Sequence, residues 1–175
     1  GCTFNAMNII SEKEDGVAFV NEVLPMSPSQ YILQKVVVGF LFGSLSSMVT
    51  ASICFRLTGQ NLGAMLALIL LSSFVAALMG LFIGRFSEGL MIGVVYIKII
   101  MLAFIAVPIV CALIGVSGPL AILCNIVPSQ PAFEGLLALS SGSMGTAIKD
   151  VGILAIHCIA WFALYILISA KGKKG

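Results

Sequence analysis

The stretch that decides the fold is LGAMLALILLSSFVAALMGLFIG, residues 62–84, which contains no charged side chain. A helix needs about 20 mostly apolar residues to cross a bilayer. Three further apolar stretches of this kind predict spans at residues 36–55, 91–115 and 151–169. Their apolar residues run continuously instead of alternating with polar ones, which favours helices over strands. We therefore predict an all-α integral membrane protein, a polytopic helix bundle with about four full transmembrane helices.

The composition supports this class. Of 175 residues, 60% are hydrophobic and 9% are charged, whereas soluble domains carry roughly 25% charged residues. A net charge of +2 without a basic stripe argues against nucleic-acid binding. The five cysteines form no metal-binding spacing and are interpreted as packing residues. The sequence predicts no cofactor, metal or catalytic residue.

The basic residues assign the loops to the two sides of the plasma membrane. With four crossings, one side carries seven basic residues: Lys13, Lys35, Arg85, Lys98, Lys171, Lys173 and Lys174. The other side carries two, Arg56 and Lys149. Because positive charge marks the cytoplasm, we expect residues 11–35 and the basic tail 171–175 to be cytoplasmic. Residues 116–149, broken by three prolines, should then form an extracellular re-entrant or interfacial segment within the membrane domain 36–170, with Glu134 and Lys149 near water.

The charged segment 11–35 is predicted to be a helical elbow. Ser11 and Glu14 have the spacing of a capping box, which predicts a helix beginning at Ser11. Pro25 should end that helix, and Ser27 should cap a second one that continues into the first span. The alternative is a plain solvated loop.

Small residues recur at intervals of four in two spans, which lets helices approach closely. The two stripes are Gly39, Gly43 and Ser47, and Ala76, Gly80 and Gly84. Either could be a helix contact or simply reflect the composition of membrane helices.

Three residues inside the spans are candidates for a functional role. Lys98 is an ionisable residue within a span, although it could extend its ammonium group to the cytoplasmic interface. Pro108 should kink its helix, for gating or for packing. His157, the single histidine, could contact a proton or a substrate, but a packing role is the simpler interpretation.

The segment EKEDGVAFVNEVLPMSPSQYILQK resembles the cytoplasmic motif of ABC-2 type transporter permeases, approximately E-K-E-x-G followed by P-x-S/T-x-x-x-Y/F-x-x-x-K. The matching residues are Glu12, Lys13, Glu14, Gly16, Pro25, Ser27, Tyr31 and Lys35. A second piece, EGLMIGVVYIKIIMLAFIAVPIV, is similar to a later family segment through Glu88, Gly89, Leu90, Lys98 and Pro108. The proline-broken stretch 128–142 before a final span also fits the family.

The resemblance implies a permease subunit with six membrane helices, of which residues 1–10 would be the end of the second. It implies an exporter that works with a separate ATP-binding cassette ATPase and with a second permease subunit, as a homo- or heterodimer. The residues that would couple to the ATPase are Glu12, Lys13, Glu14, Gly16, Pro25, Ser27 and Tyr31. The chain contains no GxxxxGK[ST] phosphate loop.

Two other functions stay open at this point. A secondary transporter or channel would need polar groups that converge within the spans, and only Lys98 and His157 are available. A membrane enzyme or scaffold would need paired acids or histidine clusters for the enzyme, which the sequence does not suggest.

Overall fold

A computed structural model describes residues 1–16, 28–54, 61–115 and 119–171. These residues form α1 (Cys2–Glu14), α2 (Pro28–Cys54), α3 (Leu62–Phe86), α4 (Leu90–Ile114), α5 (Pro119–Cys124), α6 (Ser129–Ser140) and α7 (Met144–Lys171). Within the described residues there is no strand, and α2, α3, α4 and α7 are long and apolar enough to cross a membrane. The predicted all-α polytopic bundle is confirmed.

The helix α3 is the centre of the bundle. Its span is mostly buried, whereas α2, α4 and α7 expose most of their length. Leu68 and Ile69 of α3 pack with Leu139 of α6 and Leu154 of α7. Further along α3, Leu78 packs against residues of α1, α2 and α7. Apart from Arg85 in its last turn, α3 is uncharged, as a central membrane helix requires when other helices surround most of it and lipid covers those.

The small-residue stripes are confirmed as contact surfaces, and the helix they accommodate is α1. A Cβ atom added to Gly80 would lie 2.6 Å from the backbone oxygen of Cys2, and one added to Gly39 would lie 2.9 Å from Asn5. The Asn5 side chain also donates a hydrogen bond of 2.9 Å to the carbonyl of Ala77. α1 therefore packs against both α2 and α3, at distances that glycine alone permits.

The described residues of the proline-broken region fold as two short helices, α5 and α6, and the region ends before the predicted boundary at residue 149. The last long helix begins at Met144, so Lys149 lies inside α7. Gly142, just before it, has a φ angle of 79° and supplies the turn between α6 and α7.

Two of the five cysteines are not the packing residues that the sequence analysis predicted. Cys111 near the end of α4 is joined by a disulfide bond to Cys124 at the end of α5. Cys2, Cys54 and Cys158 are free. The bond ties the proline-broken region to a transmembrane helix.

Candidate functional site

The motif residues Glu12, Lys13 and Glu14 form the last turn of α1, and we call these three side chains the clamp. Asp15 follows as the C-cap, and Gly16 adopts a φ angle of 70°. A positive φ angle after the last helical turn is a common way to end a helix, and it favours glycine. The glycine of the E-K-E-x-G pattern therefore has a structural reason: it stops α1 directly after the clamp.

The Glu12 side chain binds α2. Its carboxylate forms an ion pair with Lys35 Nζ and accepts a hydrogen bond of 2.8 Å from the Tyr31 hydroxyl. Lys35 also donates to Asn8 Oδ1 at 2.5 Å. The side chain of Lys35 is 10% exposed and that of Glu12 is 25% exposed. This is a largely desolvated charge pair with further hydrogen bonds on both partners, the arrangement that makes such pairs tolerable.

The Lys13 side chain caps α3. Its ammonium group donates to the carbonyl oxygens of Gly84 at 2.7 Å, Arg85 at 3.0 Å and Ser87 at 3.1 Å. These carbonyls include groups that a helix end leaves without partners, and a positive charge complements the helix dipole there. Partial burial, together with the nearby Arg85 guanidinium, lowers the pKa of Lys13. The three carbonyl acceptors favour its charged form.

The Glu14 side chain caps α4. Its Oε1 atom accepts a hydrogen bond of 2.6 Å from the backbone N–H of Leu90, the first residue of that helix. A carboxylate is favourable at a helix N-terminus because the unpaired N–H groups carry partial positive charge. A Cβ atom at Gly89 would lie 3.3 Å from the same carboxylate oxygen. The E-G-L piece of the sequence thus meets the E-K-E piece in space.

Three consecutive side chains therefore connect the end of α1 to three different helices. α2 and α4 begin at this site, whereas α3 ends there. The end of α7 is close to it as well, since Arg85 donates to the Ser169 hydroxyl at 3.4 Å. Among the described residues, the ends of α1, α3 and α7 and the starts of α2 and α4 therefore lie at one end of the bundle.

One prediction about this segment is wrong. Ser11 does not begin a helix, because α1 already runs from Cys2 and Ser11 lies in its last turn. The Ser11 hydroxyl is 3.3 Å from Asp15 Oδ2 and caps no N-terminus. A capping box forms only where the chain before it is not helical. The spacing of Ser11 and Glu14 does not indicate whether the residues before Ser11 are helical. The predicted helix after Gly16, with Pro25, and the cap at Ser27 lie outside the described residues.

The three candidates within the spans are not brought together with one another. Lys98 is exposed on α4 and has no hydrogen bond or ion pair to any described residue. Pro108 is buried, and α4 continues through it. His157 Nε2 is 2.7 Å from the backbone oxygen of Asn125. It lines an open cleft with Ile122, Asn125, Ile126, Ala160, Trp161 and Leu164.

Several partners of the clamp were missed by the sequence analysis. Asn8 looked like an ordinary residue at the end of an apolar segment, and Lys35 was treated as a motif position without a partner. A signal was present, since Glu12, Asn8 and Asn5 are spaced at three or four residues and so share one helix face. Among the described residues there is no group of three side chains that could hold a metal ion.

A family model described as "ABC-2 family transporter protein" matches residues 1–167 of the chain. Comparisons with curated proteins and with solved structures find no match.

Proposed function

Because the chain belongs to the ABC-2 transporter family, we propose that it is the permease subunit of an exporter in the plasma membrane, driven by ATP that a separate ATP-binding cassette subunit hydrolyses. The family and the four long apolar helices make it a multi-pass membrane protein that functions in transport. The proposal adds the partner ATPase, the direction of transport and the cytoplasmic position of residues 11–35.

The observation that carries the proposal is the clamp. A subunit that uses the ATP hydrolysis of a partner must pass a displacement from its cytoplasmic surface to its membrane helices. Glu12, Lys13 and Glu14 attach the start of the elbow to the ends of α2, α3 and α4 through charged hydrogen bonds, which are about twice as strong as neutral ones. A movement of the elbow would therefore act on three helices together.

Two observations support a cytoplasmic position for the clamp end of the bundle. The clamp end of the bundle carries the excess of lysine and arginine, and such an excess marks the cytoplasmic side. The Cys111–Cys124 disulfide belongs to the opposite end of α4, and disulfides persist in oxidising compartments outside the cytosol. Both observations support a cytoplasmic position for the elbow.

The clamp residues differ from Asp15 in their contacts with other helices. Glu12 and Glu14 are engaged with other helices, so replacing them would loosen the bundle as well as alter a docking surface. Asp15 is exposed, and among the described residues its carboxylate contacts only the Ser11 hydroxyl, at 3.3 Å within the same turn. Asp15→Lys therefore tests docking, whereas Glu14→Gln tests transmission.

The experiment uses the full permease, co-expressed with its partner ATP-binding cassette subunit and reconstituted with it in proteoliposomes. Asp15→Lys should weaken retention of the ATPase. Glu14→Gln should keep the ATPase bound but reduce the transport achieved per ATP hydrolysed. Glu88→Gln is the control for loss of a carboxylate, because Glu88 is exposed at the same end and forms no hydrogen bond of the clamp. If Asp15→Lys retains the ATPase fully and Glu14→Gln transports normally, the coupling role of the elbow is wrong.

A further inference from the structure

A cavity of about 230 Å³ lies between α2, α3 and α6. α2 and α6 each pack against α3, and the cavity separates them. It lies away from the clamp, since about 18 Å of helix, at roughly 1.5 Å per residue, separates Ser72 in its lining from Gly84. An apolar cavity of roughly 150 Å³ is enough to hold one benzene molecule. This cavity is therefore large enough for a small organic molecule.

One part of the lining consists of residues with hydroxyl groups. Ser46, Ser47 and Thr50 share one face of α2, and Ser72 of α3 adds a fourth. Thr50 donates to the backbone oxygen of Ser46 at 2.9 Å, and Ser72 donates to that of Leu68 at 2.6 Å. Their hydroxyl oxygens therefore stay available only as acceptors. The Ser46 and Ser47 hydroxyls have no hydrogen-bond partner among the described residues, so they can both donate and accept.

The rest of the lining is apolar. It comprises Ala51 of α2, Leu68 and Ile69 of α3, and Ala132 and Leu136 of α6, and no lining residue is charged. Water alone does not match this wall, because a buried water needs about three polar partners. An acyl chain alone does not match the hydroxyl groups, and a charged group would lose its hydration without meeting an opposite charge. The lining therefore favours an uncharged molecule with one polar and one apolar part.

Helix packing does not explain the small residues at this place. Serine and threonine, like glycine, occur where membrane helices approach closely. Gly39 is such a place, since an added Cβ atom would lie 2.9 Å from Asn5 of α1. At Ser47, two turns further along α2, a cavity separates the helices instead. α6 is not loosely placed either, because a Cβ atom added to Gly135 would lie 2.9 Å from Leu68.

We propose that this cavity is a binding site for an uncharged amphipathic molecule that carries a hydroxyl group. The ligand hydroxyl donates to the oxygen of Thr50 or Ser72 and accepts from the serines of α2. The alkyl part of the ligand lies against the apolar wall formed by α3 and α6. Binding requires neither ATP nor an ATPase, so the site is independent of the proposed coupling role of the elbow.

The test uses the purified full chain in lipid nanodiscs and an octanol that carries a photoreactive diazirine group. After illumination, mass spectrometry should find the label in the peptides that contain residues 46–51 and 68–72. The labelling should saturate as the probe concentration rises. At equal concentrations in the membrane, unlabelled octanol should displace the probe about tenfold more effectively than octane, which forms no hydrogen bond.

Variants of the hydroxyl residues test which groups bind the ligand. Thr50→Val removes a hydroxyl with little change of shape, and combined with Ser47→Ala it should weaken the binding of octanol by about tenfold. Ser52→Ala is the matched control and should have no effect. Ser52 donates to the backbone oxygen of Met48 on the same helix, as Thr50 does to that of Ser46, but it does not line the cavity.

Ala132→Leu, which fills the cavity from α6, should abolish the saturable labelling. Ala103→Leu, at an exposed position of α4, should not. The hydroxyl variants change the side chains little, so the test stays valid if Ala132→Leu does not fold.

Three results would overturn the proposal. Labelling that does not saturate would mean that the probe reacts from the bilayer only. Equal displacement by octane and octanol, or unchanged binding in the double variant, would mean that the cavity holds an acyl chain without using its hydroxyl groups. Absence of the label from both peptides would leave water as the occupant.

Discussion

The ion pair between Glu12 and Lys35 offers a quantitative test of the clamp. Lys35 is nearly buried, so Glu12→Gln leaves an ammonium group with the Asn8 oxygen and a neutral amide as its partners. Removing one partner of a fully buried pair costs about 3–5 kcal/mol, and the partial exposure of Glu12 reduces this to about 2–3 kcal/mol. Lys35→Met leaves Glu12 with the Tyr31 hydroxyl and some water, so we expect about 1–2 kcal/mol.

The double variant distinguishes a true pair from two independent residues. In the double variant, with Gln at position 12 and Met at position 35, neither side chain is charged, so no charge is left without a partner. The loss in the double variant should therefore be at least about 1 kcal/mol smaller than the sum of the two single losses, a coupling typical of residues in contact.

The measurement is the free energy of unfolding in mixed micelles, followed by circular dichroism as a denaturing detergent is titrated. Glu88→Gln makes the same chemical change at an exposed position, and it should alter stability by no more than about 0.5 kcal/mol. If the losses at Glu12 and Lys35 add to within about 0.5 kcal/mol, the two side chains are not coupled and the clamp does not bind α2 as described.

Two further predictions concern packing and the disulfide. Gly80→Ala should destabilise the bundle by about 1–3 kcal/mol, because its methyl group would meet the backbone of α1. Gly152→Ala should be neutral or slightly stabilising, because nothing lies within 4 Å of the added methyl group. Thermal unfolding in detergent compares the two variants, and equal stability would refute the close approach of α1. Under denaturing conditions, mass spectrometry should find three of the five cysteines alkylated without reductant and all five after reduction. In Cys111→Ser, Cys124 should be alkylated without reductant. Alkylation of all five wild-type cysteines without reductant would exclude the disulfide.

The spans could be predicted because the membrane imposes them along the chain. A continuous apolar stretch such as residues 62–84 must become a helix, since lipid offers no hydrogen-bond partner to the backbone. The four predicted spans agree with α2, α3, α4 and α7 except at their ends. The missed ends, such as the start of α7 at Met144, fall where polar residues continue a helix beyond its apolar part.

The capping-box error shows the limit of local patterns. Ser11 and Glu14 have the right spacing, but the same residues serve at the end of α1 because the helix before them does not stop. Whether a glutamate caps its own helix or a neighbouring one depends on which helix ends lie beside it. Glu14 reaches the N-terminus of α4, 76 positions later in the chain.

The sequence by itself determined the class of protein, the number and approximate place of the membrane helices, and the motif that resembles a transporter family. These follow from composition, apolar length and residue spacing, which are properties of short stretches. Only the tertiary structure decided that α1 packs against both α2 and α3, that Cys111 pairs with Cys124, and that the clamp reaches three helices. Such contacts join residues far apart in the chain, and their energies depend on burial and geometry that no local pattern contains.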